Sequence, residues 1–166
     1  MWIGVPKEIK PDEYRVGLTP DSVQEFVAHG HDVIVQTGAG EGINCSDEAY
    51  SVCGAEIAAE ATEVFDRSDM IIKVKEPQAI ERKMLKPDQI LFTYLHLAPD
   101  LAQTRNLVDS GAICVAYETV TNDLGGLPLL APMSQVAGRL SIQAGAHALE
   151  KARGGEGILL GGGAGV

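Results

Sequence analysis

Three residues with complementary chemistry are spread along the N-terminal part of this chain. Arg15 stands in Glu13-Tyr14-Arg15-Val16, Lys75 closes Ile71-Ile72-Lys73-Val74-Lys75 ahead of Glu76-Pro77, and His96 follows Phe92-Thr93-Tyr94-Leu95. A guanidinium presents a planar fork that grips a carboxylate through two hydrogen bonds. An ammonium polarises a neighbouring carbonyl oxygen, and an imidazole exchanges a proton near neutral pH. Together the three suit a small 2-oxo or 2-amino acid. Singly, each has a plainer reading: Arg15 as a solvated loop charge, Lys75 as a snorkelling surface lysine, His96 as a hydrogen-bonded core histidine.

Convergence requires that the segments carrying these residues end at one edge of one sheet. The hydropathy rhythm predicts strands at 1–5, 32–36, 70–74, 89–94 and 112–117, and helices at 46–52, 58–65, 79–85 and 100–110. A further helix opens at Thr19-Pro20-Asp21, where Thr19 caps, Pro20 fits the first helical position and Asp21 complements the dipole. His29-Gly30 ends it. Strands separated by helices of this length pair in parallel, with helices on the sheet faces. Ligands of such sheets bind outside the carboxyl ends of the strands, where Arg15, Lys75 and His96 all fall. The expected fold is therefore α/β, a Rossmann-like (flavodoxin-like) parallel sheet with flanking helices. Asn122-Asp123-Leu124-Gly125-Gly126 is turn-rich and is read as a boundary. Beyond it, 133–153 carries a long helical pattern, and a strand is expected to start at Gly157-Ile158-Leu159-Leu160.

The bulk properties narrow the partners. The 166 residues carry a formal net charge of -10, which repels a phosphate backbone and argues against nucleic acid and anionic membranes. No apolar run reaches the ~18–20 residues of a membrane span. The N-terminus turns charged at Lys7-Glu8 and has no signal-peptide profile. Three cysteines without a C-x-x-C pair read as reduced thiols in a cytoplasmic protein. No His, Cys or acidic cluster has metal-ligand spacing, so no metal is expected. Two glycine clusters invite a dinucleotide reading and fail it. Gly38-Ala39-Gly40-Glu41-Gly42 puts Ile43 where the last glycine of G-x-G-x-x-G belongs, and from Gly161 the corresponding position is Val166. The segment 161–166 is expected to hold no phosphate.

Several further segments carry a family likeness. Gly4-Val5-Pro6-Lys7-Glu8-Ile9, Glu13-Tyr14-Arg15-Val16, Thr19-Pro20, Gly38-Ala39-Gly40, Lys73-Val74-Lys75-Glu76-Pro77, Tyr94-Leu95-His96-Leu97 and Tyr117-Glu118-Thr119-Val120 resemble the alanine dehydrogenase and transhydrogenase family. Leu129-Leu130-Ala131-Pro132-Met133-Ser134 and Val136-Ala137-Gly138-Arg139 extend the likeness. Within that family, the Lys-Glu-Pro and Leu-His-Leu segments distinguish alanine dehydrogenases from the nucleotide-binding subunit of the proton-translocating NAD(P) transhydrogenase.

The resemblance implies residues 1–128 as the first segment of a substrate domain, and 129–166 as a connecting helix and the start of an NAD-binding domain. It implies an NAD-dependent, cytoplasmic enzyme, a homo-hexamer, interconverting L-alanine and pyruvate. By the same resemblance Arg15 would bind the substrate carboxylate, Lys75 would hold the pyruvate carbonyl and His96 would be the acid/base. Ser134 would touch the cofactor phosphates and Met133 would line the pocket. Where the family has Gly-Gly-Val-Pro-Gly-Val this chain has Gly161-Gly162-Gly163-Ala164-Gly165-Val166, and the family's dinucleotide fingerprint lies beyond that segment. This chain alone is therefore expected to turn nothing over. The alternatives are a non-catalytic binding or assembly module and the transhydrogenase subunit.

Overall fold

A computed structural model describes residues 1–163; the remaining residues of the 161–166 segment lie outside the described ones. The chain divides into two units, Met1–Thr119 and Val120–Val166.

The first unit is built on six parallel strands: β1 (Trp2–Val5), β2 (Asp32–Gln36), β3 (Glu56–Ala58), β4 (Met70–Ile72), β5 (Ile90–Thr93) and β6 (Ile113–Ala116). Their order across the sheet is β3-β2-β1-β4-β5-β6. This is the doubly wound Rossmann order rather than the 2-1-3-4-5 order of flavodoxin. The register of β1 against β2 sets Ile3 opposite Val33 and Val5 opposite Val35, while β4 sets Ile71 opposite Leu91 of β5.

Alternation along each strand makes two cores, one per face. Ile3, Val5, Val33, Val35 and Ile72 pack under α1 (Pro20–Ala28) and α2 (Asp47–Val52) through Val23 and Tyr50. Ile34, Ile71 and Leu91 pack on the other face under α3 (Ala61–Arg67) and α5 (Leu101–Ser110) through Val64, Phe65 and Leu107. Gly4 faces this second core, where an added Cβ would meet Ser68 Oγ at 2.2 Å. Only the smallest residue lets α3 approach β1 so closely.

The local signals explain most of these elements. Thr19 caps α1 and Pro20 starts it. Ser46 caps α2, and Asp100 caps α5, which stops at left-handed Gly111. A capping box from Gln78 and Glu81 starts the single turn α4 (Ala79–Arg82). Two expectations need correction. The predicted helix at 58–65 begins instead at Ala61, because Glu56–Ala58 pairs with β2 and becomes an edge strand. Three residues are too few to show a strand period, and only the neighbour reveals them.

The second unit consists chiefly of α6 (Ala131–Ala148), followed by a turn of 3-10 helix over Lys151–Arg153. The strand expected from Gly157 is absent: 157–160 has no ladder partner, and Ile158, Leu159 and Leu160 are exposed. A strand is defined by its neighbour, and none of the described residues offers one.

Candidate functional site

The strand order reverses between β1 and β4, since the chain runs outward through β2 and β3 before returning. The crevice of a doubly wound sheet opens at such a point, beyond the carboxyl ends of the strands. Arg15 lies on the segment leaving β1, Lys75 on the segment leaving β4, and His96 on the segment leaving β5, next to β4.

Arg15 does not wave in solvent. Its Nε donates to Glu13 Oε1 at 2.8 Å and its Nη2 to Glu13 Oε2 at 2.6 Å, while its own amide donates to Oε1 at 2.9 Å. This two-pronged grip holds the Glu13 carboxyl below its ordinary value, and burial only partly opposes it. The Lys75 charge lowers Glu13 further, which places Lys75 within electrostatic reach of the same carboxylate. Arg15 and Lys75 therefore share a neighbourhood. A cleft of about 450 Å³ opens beside Arg15, walled by Glu8, Glu13, Gly38 and Gly42; Lys75 and His96 do not line it.

Gly42 belongs there for a steric reason. A Cβ at this position would meet the carbonyl oxygen of Tyr14 at 2.1 Å, so the loop after β2 can rest against the Arg15 loop only without a side chain.

His96 is exposed rather than a core residue. Its ring stacks with that of Tyr94, centroids 6.3 Å apart at 22°. Tyr94 in turn meets Tyr117 edge-on at 5.0 Å. Burial raises the Tyr94 hydroxyl, and the Arg15 charge pulls it back, so Tyr94 links the Arg15 and His96 sides of the crevice. The His96 backbone is left-handed, with φ 48. That conformation costs on the order of 1–3 kcal/mol for such a residue and persists only where surroundings impose it. Glu118 does so: its Oε1 accepts the amides of Leu95 at 3.1 Å and His96 at 2.7 Å.

Sequence reasoning picked out Arg15, Lys75 and His96 and missed the carboxylates that set them. Glu13 could have been found, two positions before Arg15. Tyr94 shares the period of an extended chain with His96. Glu118 gives no local signal, being 22 residues from His96.

Ser134 and Met133 lie in the first turn of α6, in the second unit. The Ser134 hydroxyl donates to Leu130 O at 3.3 Å. The amides of Ala131, Met133 and Ser134 are bonded to Leu127 O and Leu130 O, and Pro132 has none. That helix end therefore offers no open amide cradle for a phosphate. In the first unit the β1–α1 connection, from Pro6 to the Thr19 cap, has only Gly17 and lacks the G-x-G-x-x-G spacing. The described residues thus do not fit a complete dinucleotide site.

The profile of the family described as alanine dehydrogenase/PNT, N-terminal domain, matches residues 4–137. An alanine dehydrogenase of Halomonas elongata is 58% identical over all of this chain and 45% of its own length. One of Methanococcus maripaludis is 56% identical, over all of this chain and 44% of its own length. A solved L-alanine dehydrogenase superposes with a TM-score of 0.87 at 49% identity, covering 100% of this chain and 46% of that one. A transhydrogenase of Sinorhizobium meliloti shares the fold, with a TM-score of 0.69 at 24% identity, over 74% of this chain and 35% of that one. The chain spans about half the length of the curated relatives it matches.

Proposed function

The chain belongs to the alanine dehydrogenase/PNT family through its N-terminal domain, and from that premise we propose that it forms the substrate side of an NAD-dependent L-alanine dehydrogenase. The whole enzyme would convert L-alanine, NAD and water to pyruvate, ammonium and NADH, reversibly. The observation that supports this reading is that Arg15, Lys75 and His96 lie on the segments leaving β1, β4 and β5, beyond the carboxyl ends of the strands.

In this reading residues 1–128 are the first part of the substrate domain and 129–166 lead into the NAD domain. Arg15, its guanidinium plane fixed by Glu13, holds the substrate carboxylate. Lys75 lies against the 2-oxo or 2-amino position and polarises the carbonyl. His96, on its exposed left-handed turn, exchanges the proton. NAD would supply the hydride acceptor, and in this reading Ser134 and Met133 would lie against it. The partners are L-alanine or pyruvate and further copies of the subunit, a homo-hexamer in the cytoplasm, without nucleic acid or membrane. Among the described residues no helix is long and apolar enough to cross a membrane.

The test is a calorimetric titration of this chain with pyruvate, beside an absorbance assay with alanine and NAD at alkaline pH. Weak pyruvate binding lost in Arg15→Ala, with no NADH formed, supports the reading. Turnover that disappears in His96→Ala would show that the chain is sufficient by itself. Failure of pyruvate to bind would leave the non-catalytic module as the better account.

A further inference from the structure

The Lys73-Val74-Lys75 run contains two lysines with opposite fates. Lys75 is partly exposed at the crevice, whereas the Lys73 side chain is fully buried. Its Nζ donates to Glu81 Oε1 at 2.7 Å and to Glu8 Oε2 at 3.1 Å. Both carboxylates are buried too, their side chains 2% and 3% exposed for Glu8 and Glu81. Buried charges are retained only when paired and hydrogen-bonded, so the remaining lone pairs show what the cluster does besides pairing.

Glu81 spends its second oxygen on its own helix start, accepting the Gln78 amide at 2.7 Å. Glu8 uses its Oε1 differently. It accepts the amide of Val74 at 2.6 Å and that of Lys75 at 3.3 Å. Two consecutive amides aimed at one carboxylate make a small anion nest. This nest sits where β4 has ended and the chain bends. The carbonyls of the same residues are held from the other side. Val74 O accepts the Tyr94 amide at 3.3 Å, and Lys75 O accepts the Thr93 hydroxyl at 2.9 Å. The backbone of Val74 and Lys75 is thus pinned between the segments leaving β1 and β5.

We propose that Glu8 is the positioning residue of Lys75: anchored by buried Lys73, its carboxylate fixes the bend that sets Lys75 at the crevice. This rests on the reading of Lys75 as a substrate ligand. Salt bridging to Lys73 alone would need no contact with the Lys75 amide. Glu8 makes that contact, one peptide unit from the side chain that meets substrate.

The experiment compares this chain with Glu8→Ala and Glu8→Gln by amide ¹⁵N relaxation and by pyruvate titration. In the parent the amides of Val74 and Lys75 should be as ordered as the strands. In Glu8→Ala their order parameters should fall below about 0.6, the flexible range. Pyruvate affinity should fall about tenfold, as expected for losing a hydrogen bond to a charged group. Glu8→Gln keeps an acceptor, and should restore order with affinity within about threefold of the parent. A folded Glu8→Ala chain with rigid 74–75 amides overturns the proposal; so do loosened amides with unchanged affinity. If Glu8→Ala does not fold, Glu8→Asp takes its place. It keeps the charge but withdraws it by one methylene, with the same expected and overturning outcomes. If the parent binds no pyruvate, the substrate reading fails separately, and the relaxation data alone decide whether Glu8 fixes the bend.

Discussion

The two units differ in what their apolar residues accomplish. Every buried residue among those described belongs to the first unit, from Ile3 to Leu107, and none lies in 120–163. Yet α6 is as apolar as the helices of the first unit, with Val136, Leu140 and Ile142 all at least 46% exposed. An apolar stripe becomes a core only when a second surface meets it. In the first unit the sheet supplies that surface twice, once per face. The consequence for function is direct. Arg15, Lys75 and His96 stand on segments locked by carboxylates of a packed unit, namely Glu13, Glu8 and Glu118. Ser134 is oriented by its own helix, through Leu130.

The largest expected effect is in the buried cluster. Lys73→Met removes the one cation between Glu8 and Glu81 and leaves two carboxylates facing each other in the interior. Losing one partner of such a cluster costs about 3–5 kcal/mol, to be read from urea unfolding at neutral pH. The pH dependence gives a second reading. Burial already raises Glu81 above its ordinary value, with Lys73 opposing. A carboxyl raised in the folded state contributes stability that is full below its unfolded value, about 4.3, and is lost as pH rises through its folded value. Lys73→Met should therefore recover more stability than the parent on acidification towards about pH 4, because Lys73 no longer opposes the rise. Equal loss at all pH values would show that the damage is one of packing, and the first unit would then owe its order to its apolar cores alone.

A smaller effect is expected at Gly42, where the two loops of the crevice touch. Gly42→Ala pushes a methyl against the Tyr14 carbonyl, 2.1 Å away before any shift. Overpacking of this kind costs about 1–3 kcal/mol. The Arg15 loop must move, so pyruvate affinity should drop more than the unfolding midpoint suggests. A fall in stability with affinity intact would separate the Arg15 loop from the substrate site.

These effects also mark how far the sequence could be read. Caps and period gave most of the elements of the first unit, because Thr19, Ser46, Asp100 and Gly111 act within a few residues of themselves. The order β3-β2-β1-β4-β5-β6 was not legible, since each neighbour is chosen by packing across the whole sheet. Arg15, Lys75 and His96 stood out by type and by place beyond strand ends. The residues that orient them did not, because Glu8 reaches Lys75 across 67 positions and Glu118 reaches His96 across 22. In the second unit the difficulty is reversed. Gly157-Ile158-Leu159-Leu160 has the composition of a strand, and composition cannot supply the partner that makes one.

The smallest effect, and the sharpest test of the comparison, is expected at Leu140. It sits mid-way along α6 and is 53% exposed. A buried counterpart such as Leu91, fully enclosed in β5, should lose about 2–5 kcal/mol on replacement by alanine. At Leu140 the transfer term is largely absent, and alanine is the better helix former by a small margin. Leu140→Ala should therefore change the unfolding free energy by no more than about 0.5 kcal/mol, as exposed substitutions generally do. The measurement is paired urea titration of Leu91→Ala and Leu140→Ala, repeated over a hundredfold range of protein concentration. If Leu140→Ala costs as much as Leu91→Ala, the α6 stripe is covered in solution. The concentration series then identifies the cover. A midpoint that climbs with concentration in the parent, but not in Leu140→Ala, means that a second copy of the chain buries the stripe, because association stabilises by mass action. A midpoint independent of concentration means that the cover lies within the chain, and the contrast between a packed first unit and an unpacked second one is wrong.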